Sequence, residues 1–446
     1  MKALLSLPKT KPIYNTHLNI FEMRIFSDLH IHGRYSRATS KDLSIANLEK
    51  WAKIKGLSLL GTGDFTHPEW WNEIKSNLTD DQTGFLKTKS GFNFVLQTEI
   101  SLMYSQGGKG RRIHLIVLSP SLEVAGQITD YLKSKGRVDY DGRPIFKIPC
   151  HEFVYELNKI SKDIEVIPAH IWTPWFGLFG SDTGFDSLKD CFQDQTHLIH
   201  AIETGISSDP PMNWRLPELD QIQILSFSDL HSYWPWRIGR EATIFDIEPS
   251  YKQLIAAIRT GERLCGTVET DPNYGKYHFD GHRACNIVLS PAESKKFNNI
   301  CPVCKKPLTI GVLNRVEELA DRPAGFKRQN AKAFYTLQPL SELFAAKIGS
   351  PVASKSVWKE YYEILKGQSE FDVMISMDRE ELEKRTSSEM VGLIIKNREG
   401  KIFVKPGYDG VYGEVVLGEK KPEQKVQHNW LPQKKINPQK GLSDFC

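Results

Sequence analysis

Seven short apolar segments, each carrying or ending in a histidine or a carboxylate, constrain this chain more than any bulk property. They are "RIFSDLH", "LSLLGTGD", "FNFVLQTEIS", "RRIHLIVLS", "IEVIPAHIW", "HAIETG" and "QILSFSDLH", spread between Arg24 and about Ile247. Runs this short and rich in β-branched residues read as strands. Longer amphipathic stretches alternate with them. In "SIANLEKWAKIKG", Ile45, Leu48, Trp51, Ala52 and Ile54 share one helical face, and Gly56 stands where a helix stops. Alternation implies parallel strands, and nearly continuous apolar strands imply burial on both faces. An open doubly wound sheet and a closed β/α barrel both fit. The polar residues favour the barrel, because His30, His32, Asp64, Glu99, His114, His170, Glu203, Asp229 and His231 fall at or near strand ends. Only a barrel brings all such ends to one bowl.

Those side chains suit a divalent metal. In an extended segment His30 and His32 point to the same side, and imidazoles with carboxylates are ligands for borderline ions such as zinc or manganese. Asp229 and His231 repeat that spacing on another strand end, while Glu99, His114 and His170 lie in apolar contexts where an unpaired polar group is costly. A second metal-binding pattern follows downstream. His282-x2-Cys285 and Cys301-x2-Cys304 form two knuckles with the spacing of a closed, structural zinc site, with His278 as an alternative to His282. Seven cysteines with only one close pair suggest metal binding in a reducing compartment before a disulfide framework.

The motifs "DLHIH", "GTGDFTH", "QTEIS", "IHLIVL", "PAHIW" and "SFSDLHS", in this order, resemble those of the PHP (polymerase and histidinol phosphatase) superfamily of metal-dependent phosphoesterases. Together with "GHRAC" and "CPVCKKPLTIGVLNRVEELADRP", they resemble the endonuclease Q family of DNA repair enzymes, over residues 24 to roughly 415. The resemblance implies a distorted (β/α)7 barrel with a small zinc-binding module and a helical C-terminal region. It implies catalysis by the metal-binding residues His30, His32, Glu99 and Asp229, with Glu99 bridging to a second metal held by His114 and His170. Asp64, His67 and His231 would serve a third. Two departures weaken the third site: "GRYSRATS" follows the first His-x-His without a further ligand, and Asp64 and His67 are not adjacent. Asp28 is expected to support the ligands rather than join them. Zn2+ is the implied ion, structural and catalytic, with Mg2+ or Mn2+ as alternatives in the catalytic cluster.

The implied reaction is hydrolysis of the phosphodiester 5′ of deaminated bases (uracil, hypoxanthine, xanthine) and abasic sites, by a metal-activated water and with the base everted. Aromatic residues at strand ends suit stacking on such a base: Trp172, Trp175 and Phe176 follow His170, and Trp234 follows His231. Glu203 and Ser207 are expected to add polar contacts, and Arg34 and Arg37 to hold phosphates. The competing readings are a phosphatase of small phosphomonoesters and a catalytically inactive module that binds DNA or a clamp.

The expected divisions are an N-terminal extension (1–22), the barrel (23–265), the zinc module (266–325), a mainly helical domain (326–415) and a disordered tail (416–446). Six Lys and three Pro from Glu419 onwards describe that tail. It ends in "QKGLSDFC", where Gln439, Leu442 and Phe445 match the Q-x-x-L-x-x-F pattern of sliding-clamp-binding peptides. Net charge is only +4, so any DNA-binding surface must be a local patch. No stretch approaches the roughly 20 apolar residues of a membrane span, and the N-terminal apolar run is too short for a signal peptide. The expectations are a cytoplasmic protein, nucleoid-associated in a prokaryote, with damaged DNA as partner. With no self-complementary heptad, a monomer is expected.

Overall fold

The computed structural model describes residues 24–417. The N-terminal extension and the residues expected to bind a clamp, Gln439, Leu442 and Phe445, lie outside the described residues.

All seven segments contain strands: β1 (Arg24–Asp28), β2 (Leu59–Gly61), β3 (Asn93–Gln106), β4 (Lys109–Ser119), β5 (Glu165–Pro168), β6 (Ala201–Glu203) and β7 (Gln223–Leu225). The helix between β1 and β2 is also present. It spans Ile45–Lys55, opens with the Ser44 side chain accepting from Asn47 N–H, and ends at Gly56 with φ 101°. That left-handed value is cheap only for glycine.

Strand pairing departs from the uniform parallel expectation. β1–β2 and β2–β3 are parallel, but β3–β4 and β4–β5 are antiparallel, so the sheet is mixed. The reason is local. Gly107 and Gly108, at φ 61° and 74°, make a two-residue turn between β3 and β4, the mirror-image turn that suits a twisted hairpin. The strand pair is then too closely linked for an intervening helix. β8 (Ala242–Asp246) adds antiparallel to β1, and β9 (Leu264–Glu269) adds antiparallel to β8. β6 and β7 pair in parallel with each other as a separate two-stranded sheet. Single bonds stitch that pair to its neighbours: Ile171 N–H donates to Glu203 O (3.2 Å) and His32 N–H to Leu230 O (3.3 Å).

One apolar cluster draws on each of β1 to β9. Ile25, Leu59, Val95, Ile116, Ile167, Ala201, Leu225, Phe245 and Leu264 pack together, with Leu254 and Ile258 of helix Tyr251–Thr260 among them. This core lies beneath the strand ends that carry the polar residues. Downstream, Asp280–His282 and Ile287–Leu289 form a hairpin, and Ala333–Thr336 joins β9 in parallel. The following helices, Leu340–Ile348, Lys355–Leu365, Arg379–Arg385 and Ser388–Arg398, pack on the first body of the protein. A fully buried ion pair, Lys55 Nζ to Glu370 Oε1 at 2.7 Å, ties the end of the first helix to this C-terminal region.

Candidate metal centre

The strand ends converge two groups of metal-ligating atoms. His30, His32, Glu99 and Asp229 place one such atom each within 4.8 Å of one another, and Glu99, His114 and His170 do the same. Glu99 belongs to both. All but Asp229 are buried; its side chain is 31% exposed and faces the opening.

Backbone geometry explains how these side chains come to face inward. His170 and Asp229 take left-handed φ values of 31° and 48°, as does the nearby Asp64 at 39°. Such values are costly for residues other than glycine and persist where the surroundings enforce them.

Behind the ligating atoms, hydrogen bonds fix which imidazole nitrogen points inward. His30 Nδ1 lies 2.9 Å from Glu203 Oε1, leaving the buried Nε2 without a hydrogen-bond partner. His32 Nδ1 lies 3.0 Å from Asp64 Oδ1, while its Nε2 lies 3.1 Å from both Asp229 Oδ1 and Glu99 Oε2. His170 Nδ1 meets the Thr173 hydroxyl at 3.1 Å. A carboxylate or hydroxyl on the outer nitrogen is the arrangement that orients metal-binding histidines. An orphaned, buried imidazole nitrogen amid carboxylates fits a cation between them.

The electrostatics agree. Burial alone would depress the His30 and His32 values, yet the surrounding carboxylates hold both well above the usual imidazole range. Burial would raise Glu99, but His114, Arg143 and His30 keep it well below an ordinary carboxylate. His114 itself is pushed down to about 4, chiefly by burial. Such a cluster binds positive charge strongly.

Several expected residues are placed differently. Glu203 is fully buried against two histidines: one oxygen meets His30 Nδ1 and the second accepts from His170 N–H at 2.6 Å, so it braces both at once. Asp64 is turned onto His32, Gly33 N–H and the Ser36 hydroxyl. Among the described residues, Asp64, His67 and His231 do not assemble into a third group of ligating atoms. The His67 ring stacks instead on Tyr35, with centroids 4.6 Å apart, and His231 Nδ1 lies 3.0 Å from the carbonyl oxygen of Asp229. Asp28 is fully buried, accepts from Ser228 and Gly239 N–H groups, and is pushed up to about 6 by burial.

The aromatic residues divide. Trp172 is a core residue, donating its indole N–H to Asn213 at 2.8 Å. Trp234 packs among Trp51, Trp236 and Trp358, each at 5.5 Å between centroids, and so glues the C-terminal helices to the loop after β7. Phe176, by contrast, leans on the His114 ring at 4.4 Å, and the partly exposed Trp175 meets Tyr277. Ser207 is buried. Arg34 is committed to Glu73 and the Leu43 carbonyl, whereas Arg37 is 74% exposed beside Asp141.

Sequence reasoning missed Arg143. Its guanidinium lies 3.0 Å from Glu99 Oε2. It arrives from the turn "DYDGRP", where no motif marks it; long-range contacts such as Gly142 N–H to Tyr35 O, Arg37 N–H to Asp141 and Ser101 N–H to Pro144 O bring the turn to the site.

In the downstream module, His282, Cys285, Cys301 and Cys304 form a third group within 4.8 Å, with His282 Nδ1 3.4 Å from Cys304 Sγ. His278 is outside that group. It is buried, and burial pushes it down to about 4. The Cys301–Lys306 turn closes through Lys305 N–H to Cys301 O and Cys301 N–H to Lys306 O.

No family model matches the chain. It is 33% identical over 304 residues to an uncharacterized protein of Methanocaldococcus jannaschii, a match covering 65% of this chain and 36% of that one. The chain thus spans about a third of that relative's length. It is 27% identical over 413 residues to an uncharacterized Bacillus subtilis protein, covering 88% of this chain and 99% of the other. Among solved structures, the lesion-specific endonuclease Q of Pyrococcus furiosus superposes with a TM-score of 0.80 at 28% identity, covering 92% of this chain and all of that one. An endonuclease Q in complex with a 27-mer duplex, with an abasic lesion at the active site, matches at TM-score 0.80 and 29% identity, covering 91% and 99%.

Proposed function

We propose, from the endonuclease Q structure that this chain shares over most of its length, that it is a metal-dependent endonuclease that cuts DNA at damaged bases. The observation that carries this reading is the pair of ligating groups joined by Glu99. Divalent ions held there would acidify a water and neutralise charge on the phosphodiester. The chain's own residues do the rest: Glu203 and Asp64 lock the inward faces of His30 and His32, Glu99 spans both groups, and Asp229 presents a partly exposed carboxylate to the opening.

In finer terms, the substrate is a duplex carrying a deaminated base or abasic site, cut on the 5′ side with the damaged nucleotide everted. Phe176, which leans on the His114 ring, and the partly exposed Trp175 would stack on it. The seven strands are read as a distorted barrel, since each contributes to one interior cluster. We keep the divisions 23–265, 266–325 and 326–415 given above. Zinc in the Cys3His group, a monomeric state and clamp binding through the tail belong to the same proposal. A phosphatase acting on small phosphomonoesters is the runner-up.

The test uses end-labelled duplexes carrying one uracil, hypoxanthine, abasic site or normal base, with Mg2+, Mn2+ or Zn2+. A single nick 5′ of the lesion is expected, abolished by Asp229→Ala with DNA binding retained. Turnover of p-nitrophenyl phosphate without nicking would support the phosphatase instead. Deleting Gln439 to Cys446 should change nicking only when a clamp is loaded.

A further inference from the structure

Beside the metal centre lie three cations, Arg237, Arg240 and Lys276, that form no ion pair among the described residues. Arg240 is 91% buried, being 9% exposed, and its Nε and Nη1 have no hydrogen-bond partner. Only Nη2 is used, donating to the Ser228 carbonyl at 3.0 Å, one residue before Asp229. Leaving two guanidinium donors dry and unpaired is expensive unless a ligand satisfies them. Arg237, whose carbonyl accepts from Arg240 N–H at 3.3 Å, and Lys276 both approach Tyr412: the Arg237 guanidinium carbon lies 5.6 Å and Lys276 Nζ 4.6 Å from the centroid of its ring.

Tyr412 senses all three. Burial would raise its phenol, yet the charges of Arg237, Arg240 and Lys276 bring it below its ordinary value. Two buried carboxyls lie near this cluster, and the charges of Arg237 and Arg240 act on Glu342 and that of Arg240 on Glu241. Glu342 accepts from the Tyr274 hydroxyl at 2.9 Å and is raised by burial, while Glu241 accepts from Ser226 and Thr270 and is pushed up to about 7, again by burial. Neither forms an ion pair with these cations among the described residues.

We infer that Arg237, Arg240, Lys276 and the Tyr412 hydroxyl form a binding site for a phosphate group, separate from the metal centre. Its parts come from three stretches of chain: the loop after β7, the turn before the Asp280–His282 strand and the hairpin of Phe403–Lys405 with Glu414–Val416. A phosphate would therefore hold these stretches together as well as itself. Because the loop after β7 also carries Asp229 and His231, a backbone phosphate of bound DNA is the favoured source. That choice rests on the nuclease reading, whereas free phosphate or a nucleotide would be held by the same donors.

The experiment measures affinity without turnover. Arg240 is buried and its loss could unfold the loop, so Arg237→Gln, Lys276→Gln and the double variant serve. Binding of the full chain to a lesion duplex is titrated at several salt concentrations, without divalent metal. In parallel, inorganic phosphate and AMP are titrated by 31P NMR. A DNA source predicts about tenfold weaker binding per variant, the scale of one charged hydrogen bond, and a salt slope reduced by about 1. A free-ligand source predicts millimolar phosphate or AMP binding to the wild type that the double variant loses, with DNA affinity unchanged. If the double variant keeps the wild-type DNA affinity, salt slope and phosphate binding, or if the wild type binds none of these, the site does not exist. Should the wild type fail to nick lesions while either binding depends on these residues, the site stands and the nuclease reading falls.

Discussion

Replacing Glu203 with Gln separates two roles for one residue. If Glu203 contacts DNA from the pocket, Gln should weaken DNA binding and leave the metal centre alone. The geometry says the reverse. Its two oxygens lie 2.9 Å from His30 Nδ1 and 2.6 Å from His170 N–H, and it is fully buried. Both neighbours are donors when His30 points its bare Nε2 inward. A carboxylate accepts from both, but an amide offers one acceptor and one donor. Whichever way it sits, one donor faces another, or His30 must take the opposite tautomer and turn a proton toward Glu99. Losing such a support typically lowers metal affinity or activity 10- to 100-fold, or about 1.4–2.8 kcal/mol. The assay is competition for zinc or manganese against a chromogenic chelator, alongside nicking rate and duplex affinity, with folding checked by circular dichroism. Metal affinity and nicking should fall together while duplex affinity holds within about threefold. Unchanged metal affinity with weakened DNA binding would overturn the bracing role.

Three further outcomes follow from buried groups. Lys55→Ala leaves Glu370 buried without its cation (2.7 Å in the native pair); denaturant unfolding should show a loss of about 3–5 kcal/mol, and a loss below 1 would mean the pair is dispensable. Cys301→Ser should remove one bound metal per chain by elemental analysis and make residues 278–310 protease-sensitive, while the metals of the strand-end cluster remain. Glu241 sits beside Glu269, and burial raises both, Glu241 from 4.5 to about 7. The folded state thus holds a proton that the unfolded state has released, so stability falls as pH rises from about 4.5 to 7. Glu241→Gln should flatten that fall by on the order of 1–3 kcal/mol, read from denaturation curves across the window; an unaltered slope would remove the pair as its cause.

Local sequence carried much of this protein. Strand positions were legible because an apolar run bounded by polar residues is a local signal, and so was the helix at Ile45, through Ser44, its apolar spacing and Gly56. The two ligating groups were also within reach, since His-x-His, Asp-x-His and isolated charges in apolar strands are unusual choices with few structural uses. Cys and His knuckle spacing is local in the same sense. What lay beyond it was partner choice. Glu203 and Asp64 carry the same chemistry as Glu99 and Asp229, and only the fold decides which carboxylate reaches the centre and which stops at an imidazole's outer nitrogen. Asp28 and Asp229 sit in identical "SDLH" strings, yet one holds two backbone N–H groups in the core and the other faces the opening. Trp234 reads as a site residue until helix Lys355–Leu365 brings Trp358 against it. Arg143 and the half-satisfied guanidinium of Arg240 have no sequence mark at all, because their meaning lies in contacts with other segments. Periodicity and residue type record what a segment must bury; which of several like groups meets which partner is set by packing between segments far apart in the chain.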